Sequence, residues 1–339
     1  MRPSAPIPTA TDPLPDFAHP DFRRDPYPTY RAMRERTPVL RGERGAFRFS
    51  ILTRHADVVA VLRDPRMSVD RPFQPRPPGD GDAVDPATLH PLARALRALS
   101  RIMLFRDPPD HTRLRGLVNK AFTPRMVESL RPRVAARVDE LLAARLAAGE
   151  LDVVRDLAEP LPILVIAELL GLPLSDCADL KRWSDPLAAM LDGSIAMQHL
   201  APAVQAAGEV IEYLRGHLEA KRRDPQATSR VPLEDVELCG ARFEKGREVG
   251  LLIGAANRDP DVFAEPDRFD LGRRDNRHVS FGFGIHFCLG AGLARLEGQL
   301  AIGSLVARAP RLRLAVADGD LAWRPGWLLR GLTALPVAV

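Results

Sequence analysis

Phe281-Gly282-Phe283-Gly284-Ile285-His286-Phe287-Cys288-Leu289-Gly290 is the stretch on which the reading of this chain turns. A cysteine stands just ahead of a periodic apolar run, in a loop rich in glycine and aromatic residues, two positions after a histidine. The run from near Leu289 to about Ala307 is expected to be helical. A helix N-terminus offers N–H groups without intrahelical partners and a partial positive charge, and both favour a thiolate. Gly284 and Gly290 let the backbone pass close to a large flat ligand. Phe281, Phe283 and Phe287 supply apolar walls, and His286 is placed to meet an anionic group at the ligand edge. The usual fate of a single cysteine is burial as a small apolar side chain, and the loop's physical chemistry alone leaves that alternative open.

The chain around this loop has 339 residues, 45% hydrophobic and 27% charged, enough for a large core and unlike a disordered or fibrous sequence. No apolar stretch is long enough to cross a membrane. The first twenty residues lack the basic start and apolar run of a secretion signal. The three cysteines (Cys177, Cys239, Cys288) are too far apart for a disulfide framework or a CxxC zinc site, so a reducing cytoplasm is the expected compartment. The net charge is +4, but the 48 basic residues are interleaved with 44 acidic ones and form no long run. That pattern argues against a nucleic-acid partner.

Secondary-structure signals make the chain mainly α with small β-sheets. Helices are expected over Thr29–Arg36, Arg54–Leu62, Pro124–Ala148 and Leu161–Leu170. In the third, Met126, Leu130, Val134, Val138, Leu141 and Leu142 step by three and four residues, and Gly149 supplies a stop. Gly171 ends the fourth. Val204, Ala207, Ile211, Leu214 and Leu218 form a further apolar stripe. Phe47–Thr53, Arg230–Leu238, Ala241–Phe243 and Arg247–Ile253 read as short strands, as does the segment from Arg311 onward. Proline-rich stretches, chiefly Met1–Pro28 and Arg71–Pro91, read as connections.

The pattern F-x-x-G-x-[HR]-x-C-x-G resembles the haem-ligand loop of the cytochrome P450 family. By average residue usage, a chance match in a chain of this length is on the order of one in ten thousand. The resemblance extends along nearly the whole chain, in the manner of a bacterial, soluble member. Asp107-Pro108-Pro109-Asp110-His111-Thr112-Arg113-Leu114-Arg115 resembles the start of the family's C helix, which implies that His111 and Arg115 bind haem propionates. Thr228-Ser229-Arg230 resembles the strand whose arginine binds the other propionate. Ala256-Asn257-Arg258-Asp259-Pro260 and Phe263–Phe269 are similar to the stretch leading through the meander to the ligand loop. His55–Val59 and Leu161–Pro173 are similar to the early B and E helices.

The resemblance implies haem b (iron protoporphyrin IX) held by Cys288 as axial ligand to the iron, with His111, Arg115, Arg230, Phe281, Gly284, His286 and Gly290 as its other binding residues. A thiolate ligand pushes electron density toward bound oxygen. The implied activity is a monooxygenase that inserts one oxygen atom from O2 into a small organic substrate. Electrons would come from NAD(P)H through a ferredoxin and a ferredoxin reductase. Specificity in the family comes from regions matching about Val69–Ser100 and Leu174–His199, with Ala188, Met190, Leu191, Ile195 and Met197 as channel or core residues.

Two family signatures are missing from the sequence. The first is the I-helix A-G-x-x-T, whose acid–alcohol pair delivers protons to oxygen. The nearest letters, Ala206-Ala207-Gly208-Glu209-Val210, have no threonine and lie on what resembles the G helix, so no catalytic residue is identifiable. The second is the K-helix E-x-x-R. Glu219-x-x-Arg222 and Glu265-x-x-Arg268 match the letters in the wrong segments, and the second is the meander itself. Both gaps fall at one place, near Pro225–Gln226, where roughly a fifth of a family member's length is absent. The expected architecture is therefore one P450-like domain over 1–339, with an N-terminal part (1–225) and a C-terminal part (226–339). The I- and K-helix segments are absent, and apolar faces built to be covered are left exposed. Three alternatives remain on the sequence alone: a non-catalytic haem-binding remnant, a peroxide-driven haem protein, and a basic helical nucleic-acid or partner-binding protein.

Overall fold

A computed structural model of the chain describes residues 15–17, 19–44, 47–70, 103–119, 122–191, 202, 205, 206, 209, 213, 227–324 and 330–339. In chain order the elements are α1 (Pro20–Arg24), α2 (Tyr27–Arg36), β1 (Val39–Arg44), β2 (Phe47–Leu52), α3 (His55–Arg63), β3 (Met67–Ser68) and α4 (Asp110–Asn119). Then come α5 (Pro124–Ser129), α6 (Arg131–Ala148), β4 (Glu150–Asp152), α7 (Pro160–Leu170) and α8 (Cys177–Leu191). The remainder is β5 (Ala227–Pro232), β6 (Val236–Leu238), β7 (Ala241–Phe243), β8 (Glu248–Leu252), α9 (Ile253–Ala256), α10 (Ala291–Arg308), β9 (Arg313–Leu314) and β10 (Pro336–Ala338). The stripe over 204–218, the Arg71–Pro91 connection, Glu219-x-x-Arg222 and the Pro225–Gln226 junction lie outside the described residues.

These elements fall into two units, one mainly from Met1–Arg115 and Asp224–Cys288, the other mainly from Gly116–Arg223 and Leu289–Val339. The first is built on a five-stranded sheet in the order β1-β2-β8-β5-β3. β2 runs parallel to β8, with Ile51 opposite Gly250, and the other neighbours are antiparallel. Strand β1 has no counterpart among the expected strands. Its Arg41, Gly42 and Glu43 give little β signal, and it forms by pairing with β2, register Val39 to Leu52. Between β6 and β7, Cys239 and Gly240 both have positive φ (57° and 69°), the geometry of a two-residue hairpin turn. The Arg230–Leu238 strand is broken at Leu233–Asp235 into β5 and β6. The core of this unit packs Leu52 and Leu251 of the sheet against Val58, Val61 and Leu62 of α3 and Val279 of the loop before the cysteine.

The second unit is helical. Val134, Val138 and Leu142 on α6 pack with Leu161 and Val165 of α7 and with Leu293, Leu296 and Leu305 of α10. A three-stranded sheet, β4-β10-β9, closes one side of this unit. The expected single helix over Pro124–Ala148 is instead two. Pro132 has no N–H to continue the ladder, so α5 stops at Ser129 and α6 restarts after Leu130. The break also changes the buried face: Met126 is exposed, and Val127 takes its place in the core. Helices α6 and α7 end, as expected, at Gly149 and Gly171 in the left-handed conformation.

Large apolar side chains are left uncovered in each unit. Phe269 and Leu271 are 88% and 91% exposed in the loop after α9, and Ile302 and Val306, one turn apart on α10, are 66% and 58% exposed. In the same loop Arg268 pairs with Glu265 at 3.0 Å, both side chains exposed, so this E-x-x-R is a local surface pair. Among the described residues no helix is long and apolar enough to cross a membrane. Leu142→Ala is expected to lower the free energy of unfolding by about 2–5 kcal/mol, whereas Ile302→Ala changes it by less than about 0.5 kcal/mol. Urea unfolding followed by circular dichroism checks both.

Candidate functional site

The cysteine loop is shaped by its own backbone bonds. Cys288 N–H donates to the Phe281 carbonyl at 2.8 Å, Phe287 N–H to Gly284 O at 3.0 Å, and Gly282 N–H to Val279 O at 2.8 Å. Gly284 has φ +71°, and a Cβ there would lie 2.6 Å from the Leu62 carbonyl at the end of α3. The glycine is thus demanded by the chain's own packing as well as by its backbone conformation. Gly290 behaves differently. It caps α10 with an ordinary negative φ, and a Cβ there would meet nothing within 4 Å. The polypeptide itself therefore does not demand glycine at position 290.

Helix α4 meets this loop. Its start is fixed by Asp107, whose carboxylate accepts from Val69 N–H at 3.1 Å and from the Ser68 hydroxyl. His111 is buried, and its ring lies 4.2 Å from that of His286, centroid to centroid. One turn on, Arg115 donates to the carbonyls of Ile285 at 2.9 Å and Phe287 at 2.6 Å, the residues flanking His286. Burial holds the Arg115 guanidinium below its ordinary pKa, and the nearby Cys288 sulfur pulls it back up.

Helix α4, through His111 and Arg115, thus meets the loop that carries Phe281, Gly284, His286 and Cys288. Arg230 lies in the same unit on β5, opposite Val249, buried, and donates to the Thr228 hydroxyl at 3.2 Å and the Ser229 carbonyl at 2.8 Å. The aromatic walls are only partly as expected. Phe281 and Phe287 stand edge to face at 6.4 Å, but Phe283 packs on the core of its unit beneath the Arg63 guanidinium, 4.4 Å above its ring. The other thiols are unlike Cys288 in their surroundings. Burial pushes Cys239 up to about 12, and its sulfur contacts the Asp57 carbonyl; Cys177 is also raised by burial.

Polar residues without any spacing signature hold the loop in place. The Asn257 carboxamide accepts from Val279 N–H at 2.8 Å and donates to the Ser280 hydroxyl at 2.9 Å. The buried Asp259 accepts from His55 N–H at 2.8 Å, and the His55 ring bonds the Arg277 carbonyl at 3.0 Å. Helix α3 is therefore bonded to the loop's approach at one end and touches Gly284 at the other. The sequence shows the letters Asn257 and Asp259 but not their partners, about twenty and two hundred residues away.

Comparison with known proteins identifies the family. The cytochrome P450 family model matches residues 221–308. The chain is 34% identical to cytochrome P450 monooxygenase PikC of Streptomyces venezuelae, covering 94% of this chain and 92% of that protein. It is also 34% identical to vitamin D(3) 25-hydroxylase of Pseudonocardia autotrophica, covering 94% of each. Among solved structures, P450BioI in complex with a hexadec-9Z-enoic acid-ligated acyl carrier protein superposes with a TM-score of 0.81 at 29% identity, covering 94% of this chain and 99% of that one. The chain belongs to the cytochrome P450 family of haem-thiolate monooxygenases.

The same alignments measure what is missing. The match to PikC runs over 404 positions. Since 94% of 339 residues is about 319, about 85 of those positions stand opposite nothing in this chain. The chain has the family's fold, and its sequence contains no A-G-x-x-T. The two loop glycines should respond differently to a methyl group. Gly284→Ala is expected to cost roughly 2–4 kcal/mol of stability from the left-handed backbone and the Leu62 clash. Gly290→Ala should stay within about 0.5 kcal/mol, and thermal unfolding of the two variants compares them.

Proposed function

We propose that this chain binds haem b with the Cys288 thiolate on the iron and with His111, Arg115 and Arg230 as propionate partners. Phe281, Gly284, His286 and Gly290 complete the loop that receives it. The donor set fits: one sulfur for the metal, and arginines and histidines for two carboxylates. The observation that carries the reading is the bidentate hold of Arg115 on the carbonyls of Ile285 and Phe287, with His111 against His286. These contacts assemble the cationic helix and the cysteine loop as one site.

Haem bound to a thiolate supplies oxygen-activating chemistry, which the family uses to insert one oxygen atom into a small organic substrate. In this chain Cys288 provides the ligand, and Arg115 provides positive charge beside the sulfur. Electrons come from NAD(P)H through a ferredoxin and its reductase in the reducing cytoplasm. No described residue takes the place of the acid–alcohol pair that delivers protons. Reduction of oxygen by this chain is therefore poorly coupled to substrate hydroxylation, and electrons are lost to peroxide or water.

Two measurements test this. A dithionite-reduced, CO-bound difference spectrum is expected to show the red-shifted Soret band of a thiolate ligand, lost in Cys288→Ala. With NAD(P)H and a surrogate ferredoxin system, NAD(P)H consumption is expected to exceed product formation by at least about tenfold. A positioned proton donor contributes on the order of 10²–10⁴-fold, so a tenfold excess is a lower bound. A colourless protein would overturn haem binding, and tightly coupled hydroxylation would overturn the assignment of the missing step.

A further inference from the structure

Asn257 makes the only side-chain hydrogen bonds, among the described residues, from another segment to Val279 and Ser280, the two residues that precede the cysteine loop. One carboxamide uses both of its faces: its oxygen accepts from Val279 N–H and its nitrogen donates to Ser280 Oγ. The next residue, Phe281, carries the carbonyl that receives the Cys288 N–H. The line of force is short and continuous: Asn257, Ser280, Phe281 carbonyl, Cys288 amide. Asn257 itself is well founded. It follows α9, whose Ile253, Ala255 and Ala256 are buried, and its N–H closes that helix on Ile253 O at 3.0 Å. The Arg34 guanidinium, buried, donates to the Ala255 carbonyl at 2.9 Å and anchors the same helix from α2. The loop on the other side has no rigid element of its own before Gly284.

We infer that Asn257 is a positioning residue for Cys288, setting the sulfur's place through Ser280 and the Phe281 carbonyl. The inference rests on the reading of Cys288 as the iron ligand. It assigns a role to a residue that touches neither the iron ligand nor the propionate partners. A carboxamide suits the role because it satisfies an N–H and a hydroxyl at once. Aspartate keeps both bonds, since the Ser280 hydroxyl then donates; alanine keeps neither.

The test separates the two readings by using the thiol as well as the haem. Cys288 alkylation by iodoacetamide is followed by mass spectrometry on haem-free protein, with Cys177 as internal reference, and the CO-bound spectrum is recorded on haem-loaded protein. In Asn257→Ala the Cys288 alkylation rate is expected to change by at least threefold against Cys177. The haem-loaded fraction with thiolate character is expected to fall about tenfold, the size typical of losing a group that orients a metal ligand. Asn257→Asp is expected to restore both. Arg242→Ala, which removes an exposed ion pair with Asp235 outside this line, controls for general loosening and is expected to leave both readouts near wild type. Unchanged alkylation and spectrum in Asn257→Ala would overturn the proposal, and so would an equal loss in Arg242→Ala. A wild-type chain without thiolate spectrum, in which alkylation still responds to Asn257→Ala and is rescued by Asn257→Asp, would overturn the haem reading and leave the positioning role standing.

Discussion

A half-buried guanidinium holding two carbonyls of a glycine-rich loop is the constraint from which the site follows. Arg115 cannot shed its proton, and burial makes its hydrogen bonds costly to lose. By spanning Ile285 and Phe287 it fixes the loop on both sides of His286 and brings its charge to bear on Cys288. His111, one turn earlier on the same helix, is carried against His286 by the same placement. The helix is itself tethered by Asp107 to Ser68 and Val69. Loss of any one of these ties frees a loop whose glycines give it little stiffness.

The opposite side of the loop shows how the fold holds irregular backbone without a regular element. Asn257, Asp259 and His55 each bond a main-chain or hydroxyl group in a distant segment. Gly284 then lets the loop close on the end of α3. Such polar ties are directional and short-ranged, so they specify position where apolar packing alone would allow sliding.

Phe269, Leu271, Ile302 and Val306 present large apolar side chains to water, and Arg268 pairs with Glu265. The residues proposed to hold haem all lie among the described residues, whereas the proposed loss of proton delivery rests on the absence of A-G-x-x-T from the sequence.

Much of this was legible in the residues themselves. The pattern around Cys288 pointed to the loop through its resemblance to the cytochrome P450 family, because a cysteine among tight glycine turns ahead of a helix is a local pattern. Helices α3, α7 and α10 and strands β2 and β5 to β8 were legible from periodicity and from glycine stops, which are local as well. The break before α6, the strand β1 and the inward turn of Phe283 were not, since each depends on a neighbour distant in sequence. The same holds for the demand for glycine at position 284, which comes from Leu62, and for the clamp at Asn257, which exists only once Val279 and Ser280 are brought to it. Sequence determined which chemistry the chain carries, because ligand type and turn geometry are written in short runs. Tertiary structure decided which groups hold that chemistry in place, because hydrogen bonds between remote segments have no period to read.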